Sequence, residues 1–122
     1  MLKTKCILSP IEKDDGERIS IMSRHKLDDG VTEDKRIKRE MYDSHEIVFA
    51  PPLKLIGNYL RKEISWAEYE RKYFEYLNKI NSHIQTLVNK GLENNVTILC
   101  IEEKPDECHR KLLAQRCKDI NP

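Results

Sequence analysis

The run Val96-Thr97-Ile98-Leu99-Cys100-Ile101 constrains the fold of this chain more than any other segment. It is almost continuously apolar, rich in β-branched side chains, and of strand length. A strand with no polar alternation has no face for water, so it belongs inside an α/β sheet with both faces covered. Pro105 stands where a helix can begin, and Cys108 to Cys117, with Leu112, Leu113 and Arg116, completes that helix. This strand–turn–helix unit predicts an α/β protein: a small, largely parallel sheet flanked by helices in Rossmann-like layers. A length of 122 residues suits one compact domain, taken here as residues 1–122.

The remaining elements are read outward from that strand. Lys3 to Leu8 predicts a first strand, ended by Ser9-Pro10, and Asp15-Gly16 is a hairpin signal. Arg18-Ile19-Ser20-Ile21-Met22 alternates apolar and polar, which suits a second strand. Thr32 to Tyr42 is compatible with a marginal, mobile helix that turns only Ile37 and Met41 inward. Ile47 to Ala50 predicts a short strand stopped by Pro51-Pro52, and Leu53, Ile56 and Leu60 share one helical face. Ser65-Trp66-Ala67-Glu68 is a capping box. It opens an apolar helical stripe from Trp66 through Tyr69, Tyr73, Leu77 and Ile84 to Val88. Ser82 is expected to cap a second helix within that stripe, and Gly91 to stop it.

Composition excludes some classes of function. The formal net charge is +1, with 35% charged and 39% hydrophobic residues, so the chain has no general footprint for nucleic acid or an anionic membrane. No stretch reaches the roughly 18 apolar residues of a membrane span, and the N-terminal apolar run is too short for a signal peptide. A cytoplasmic protein is expected. In that reducing compartment Cys6, Cys100, Cys108 and Cys117 read as thiols, ligands or reactive groups before disulfides. Lys35-Arg36-Ile37-Lys38-Arg39 looks like a nucleic-acid patch, but Glu33, Asp34 and Glu40 flank it, so a solvated helix face is the better reading.

The chemistry concentrates where the buried strand runs into the last helix. The amides and dipole of a helix N-terminus favour an anion, and ligands of open α/β sheets bind at this carboxyl edge. Cys108 beside His109 and Arg110 is a thiol whose thiolate would be favoured. Arg110 can clamp a phosphate or carboxylate, His109 can exchange a proton near neutrality, and Glu102 can orient either one. Ser23-Arg24 ends another strand and brings a second cation to the same edge. The plainer readings are that Cys100 is a small hydrophobe, that Cys108 is a packed inert thiol, and that Trp66 and the tyrosines are core. A metal site is not expected: the strong patterns use paired cysteines, and adjacent residues such as Cys108 and His109 leave a helix on different sides.

Val96 to Glu102, then Pro105, then Cys108-His109-Arg110-Lys111-Leu112-Leu113-Ala114 resembles the signature of domain-of-unknown-function family 488. Ile19 to Arg24 resembles that family's second strand with its Ser-Arg end, Ala50-Pro51 its following loop, and Trp66, Tyr69 and Tyr73 its aromatic helix. The resemblance implies a compact α/β fold without an agreed activity. It points to Ser23, Arg24, Cys100, Glu102, Cys108, His109 and Arg110 as the site. His25-Lys26-Leu27-Asp28-Asp29-Gly30 departs from the family's Pro-, Arg- and Gly-rich segment.

The expectation is therefore a domain that binds a phosphorylated or nucleotide-like anionic small molecule at the Cys108-His109-Arg110 helix start. Arg110 and Arg24 would hold the anion, with Ser23, Glu102 and Cys100 in contact, Cys108 as nucleophile and His109 as its proton partner. No cofactor is called for. The competing reading is a non-catalytic binding or regulatory module for nucleic-acid phosphate or a protein partner.

Overall fold

The computed structural model describes residues 1–26, 31–101 and 108–121. Among them, β1 (Leu2–Cys6), β2 (Glu17–Ser20), β3 (Ser44–His45) and β4 (Val96–Cys100) form one sheet in the order β1-β4-β2-β3, and every pair is parallel. The apolar run lies in the interior, as its pattern predicts. Leu2 to Cys6 register against Val96 to Cys100 on one side, and Glu17 to Ser20 against Val96 to Leu99 on the other. All of β4 is buried.

Helices α1 (Leu53–Leu60), α2 (Trp66–Asn78), α3 (Asn81–Glu93) and α4 (His109–Ile120) complete the α/β architecture. Ile19, Val96 and Ile98 pack with Tyr73, Leu77, Ile84, Leu87, Leu112 and Leu113 in the main core. The alternate β4 side chain Leu99 belongs to a second cluster with Ile7, Met22, Cys100 and Cys108, edged by Ile37, Met41 and Tyr42. Irregular segments therefore pack against one part of the sheet where helices cover the other. Ser65 caps α2 as expected, its hydroxyl accepting from the Glu68 amide at 3.1 Å. The Glu68 carboxylate lies near Lys72 and Arg71.

Several local expectations are corrected. Asp15-Gly16 makes no hairpin, because β4 lies between β1 and β2. Residues 31–42 form turns and a one-turn 3-10 helix (Arg39–Met41) rather than an α-helix. Asp34 binds the Arg36 amide and guanidinium (3.1, 2.9 and 2.7 Å), a local alternative to helical bonding. Two apolar anchors are too few to offset helix nucleation. The basic patch there is engaged locally as well: Arg39 lies over the Tyr42 ring and donates to the carbonyls of Tyr42 and Asp43. Ile47–Phe49 is a 3-10 turn, with the edge strand just before it. Tyr73 and Tyr76 donate to the Phe49 and Val48 carbonyls (2.6 and 2.7 Å), so those groups serve the helix rather than a sheet. Ser82 lies inside the first turn of α3, whose N-cap is Ile80. Gly91 is no stop, because α3 continues to Glu93; its missing side chain makes room for Leu2, whose Cγ a Cβ would meet at 2.7 Å.

The alternation in β2 also misleads, because Arg18 and Ser20 are as buried as Ile19. Arg18 donates to Asp15 (2.6 Å) and to the Met41 carbonyl (2.7 Å), and Lys5 lies 2.7 Å from the same carboxylate. Burial alone would raise the Asp15 pKa, but hydrogen bonds from Lys5, the Glu12 amide and Arg18 outweigh it and hold the carboxyl well below its usual range. Thr97 completes the network by donating to the Asp15 carbonyl at 2.8 Å.

Gly16 has φ +63°, and a Cβ there would meet the Asn95 carbonyl oxygen at 1.9 Å. That oxygen also accepts from the Glu17 amide, so it has little freedom to move. Gly16→Ala should cost on the order of 3 kcal/mol, read as a lower urea midpoint with unchanged slope. An unchanged midpoint would show that the β4 entry does not press on this turn.

Candidate active site at the carboxyl edge of the sheet

Beyond the ends of β2 and β4 lies a cavity of about 380 Å³, within the usual range for small-molecule sites. Cys100, Ile101, Cys108 and His109 line its inner part. Leu53, Ile56, Gly57 and Leu60 of α1 form an apolar side. Tyr59, Trp66 and Tyr69 form an aromatic side, with Trp66 stacked on Tyr69 at 5.0 Å and edge-on to Tyr59 at 5.5 Å. Ser23, Arg24, Lys26 and Arg61 complete the lining. No carboxylate lines it among the described residues, although Arg61 is paired with Glu63 at 2.8 Å.

The inner cluster is built by the end of one strand and the start of one helix. Cys108 is the N-cap of α4, with extended backbone (φ −129°, ψ 137°), so its side chain does not follow the helical wheel that governs His109. The sulfurs of Cys100 and Cys108 and one ring nitrogen of His109 consequently lie within 4.8 Å of one another, all buried. This removes the geometric objection that adjacent residues must diverge. His109 Nε2 lies 2.8 Å from the Ile21 carbonyl, which can only accept, so Nε2 carries the proton. Nδ1 then presents its lone pair to Cys100 Sγ at 3.9 Å. Tyr73 meets the imidazole edge-on at 5.8 Å and fixes its plane.

Of the residues singled out in the sequence, Ser23, Arg24, Cys100, Cys108 and His109 line this one cavity. Arg110 does not. Its guanidinium is buried and donates to the Cys100 carbonyl at 3.3 Å, tying α4 to the end of β4. Glu102 and Pro105 lie outside the described residues. The sequence reading favoured a core role for Trp66 and Tyr69 over a base-stacking platform, and it missed Tyr59, Arg61 and Lys26. One signal was available in the sequence, a glycine inside a short amphipathic helix; in the structure a Cβ at Gly57 would meet the Arg61 guanidinium at 2.9 Å. Cys117 is no competitor as a reactive thiol, because burial pushes its pKa up to about 11.

The segment 23–26 is held from behind by His25. Its Nε2 shares a hydrogen bond with Ser20 Oγ (2.7 Å), and its ring stacks on His45 at 4.1 Å and tilts on Tyr42 at 4.8 Å. His45 in turn donates to the Met22 carbonyl at 2.5 Å. Burial, then the neighbouring His45, lowers the His25 pKa from 6.5 to about 4, against an opposing pull from Asp34. A depressed histidine pKa means the unfolded chain binds the extra proton first. This contribution to stability is present above about pH 6.5 and is lost as pH falls toward 4. Denaturation midpoints should therefore fall across that window, and His25→Gln should flatten the fall. Parallel pH profiles for the two proteins would contradict the assignment.

No curated protein and no solved structure matches this sequence. One family model does: that described as the active DUF488-N3 subclade, which matches residues 2–120. With nearly its whole length covered, the chain belongs to the DUF488 family.

Proposed function

We propose that this protein binds a phosphorylated, nucleotide-like small molecule in the carboxyl-edge cavity, working in the reducing cytoplasm. The observation that carries the reading is the lining itself: an aromatic side, several cations and no carboxylate among the described residues. A planar base would stack against Trp66 and Tyr59. Arg24 and Lys26 would meet the phosphate, and the positive end of the α4 dipole supports negative charge beside Cys108. Arg110 is then a positioning residue that fixes the strand end carrying Cys100. Among the described residues no helix is long and apolar enough to cross a membrane.

The catalytic part of the proposal assigns Cys108 as nucleophile and His109 as its proton partner. The Nε2–H tautomer leaves Nδ1 as the proton acceptor, 3.9 Å from Cys100 Sγ and within 4.8 Å of the Cys108 sulfur. Membership of a subclade described as active is consistent with that part.

Trp66 is the chain's single tryptophan, so its fluorescence reports on this cavity alone. Titration with a nucleoside diphosphate should change that fluorescence saturably. The uncharged nucleoside should bind at least about tenfold more weakly, and Arg24→Ala should cost a similar factor, about 1.4 kcal/mol. Equal responses to nucleoside and nucleotide, or none to either, would overturn the proposal.

A further inference from the structure

We infer that Cys100, Cys108 and His109 form a binding site for a soft divalent metal, best suited to zinc, with its fourth coordination position open to the cavity. Donor type is the first ground. Two sulfurs and an imidazole make a set that selects zinc-like ions over magnesium or calcium, which take oxygen ligands. Distance is the second. A tetrahedral zinc with bonds near 2.3 Å to sulfur and 2.0 Å to nitrogen needs its donors roughly 3.5–3.8 Å apart. Cys100 Sγ and His109 Nδ1 already lie 3.9 Å apart, and no pair in the cluster exceeds 4.8 Å. Small side-chain rotations close the remainder.

The surroundings supply a further, independent ground. A metal-binding histidine usually gives its other N–H to a carbonyl or carboxylate, which sets the tautomer and aims the ring. The Nε2 contact of His109 with the Ile21 carbonyl is that arrangement, and it leaves Nδ1 as the donor. All three ligands are buried, yet all three line the cavity, so the coordination sphere is walled on the protein side and open on the ligand side. Three protein ligands with one open position are the pattern of catalytic rather than structural zinc.

The metal's two charges balance the two thiolates, so loading places no net charge among buried groups. Each thiol releases its proton to solvent as the metal binds. Loading also decides the chemistry. Metal-bound sulfurs are weaker nucleophiles and a coordinated Nδ1 cannot accept a proton, while the open position would take a phosphate oxygen or a water. The metal-loaded form is thus exclusive of the thiol step proposed above, while anion binding through Arg24 and the aromatic side belongs to both forms. This inference rests on the cluster and not on the identity of the ligand.

Cobalt(II) titrated into chelator-treated protein should give a thiolate-to-cobalt charge-transfer band and the visible bands of a tetrahedral ion, at one equivalent, and zinc should abolish both. Cys100→Ser and Cys108→Ser should each halve the charge-transfer intensity and weaken affinity at least about tenfold, whereas Cys6→Ser should leave both unchanged. On the unaltered protein, zinc should protect Cys100 and Cys108 from iodoacetamide, which keeps the test open even if a variant fails to fold. A missing charge-transfer band, or one that keeps its full intensity in Cys108→Ser, would overturn the inference, as would alkylation indifferent to zinc. Nucleotide titrations of the metal-free protein judge the anion proposal separately, so either idea can fail alone.

Discussion

The parallel pairing of β4 on both of its edges is the constraint on which the rest of the molecule depends. A strand with neighbours on each side and apolar side chains throughout has no solvent face, so elements must cover it above and below. Its carboxyl end is then fixed from several directions. Ile7 donates to the Cys100 carbonyl at 2.7 Å, Arg110 to the same oxygen at 3.3 Å, and Ile21 to the Leu99 carbonyl at 3.1 Å. These bonds tie β1, α4 and the end of β2 to one point. Cys100 consequently faces Cys108 and His109 from a rigid base, which a reactive or ligating group requires.

Cover on the two parts of the sheet differs in kind, and this explains which parts of the fold were legible. The helical part follows simple rules: an apolar stripe at helical spacing, a Ser65 cap, and a β-branched run for β4. Each appears close to its expected place. The other part rests on a polar network that no periodicity signals. Arg18 is a polar member of an alternating strand, yet it is buried against Asp15 and backbone carbonyls. Residues 31–42 looked helical by composition, but Asp34 holds a turn there, and Ile37 and Met41 pack as two isolated anchors. Such segments depend on tertiary partners distant in sequence, and a local reading has no access to them.

The site divides along similar lines. Cys108, His109 and Cys100 were legible because a central strand running into a helix must bring its end residues to the carboxyl edge. Arg24 followed from the neighbouring strand by the same rule. Arg110 shows where that rule stops, since it names residues near an edge but not the direction of a long side chain. The Cys108 backbone shows the opposite error: a helical wheel separated it from His109, and the N-cap conformation brings them together. The aromatic side was hidden by its double role. Tyr73 belongs to the core alone, while Tyr69 and Trp66, on the same stripe, pack on the core and also line the cavity, and helical spacing alone does not divide them.

The central claim is that the carboxyl-edge cavity, and no other surface, receives the ligand. Backbone-amide NMR of the full chain during titration with a nucleoside diphosphate tests it most directly. The account predicts saturable shifts that cluster at Ser23, Arg24, Gly57, Tyr59, Trp66, Ile101, Cys108 and His109. Shifts confined to Lys35 through Arg39, or spread thinly over the surface without saturating, would contradict it.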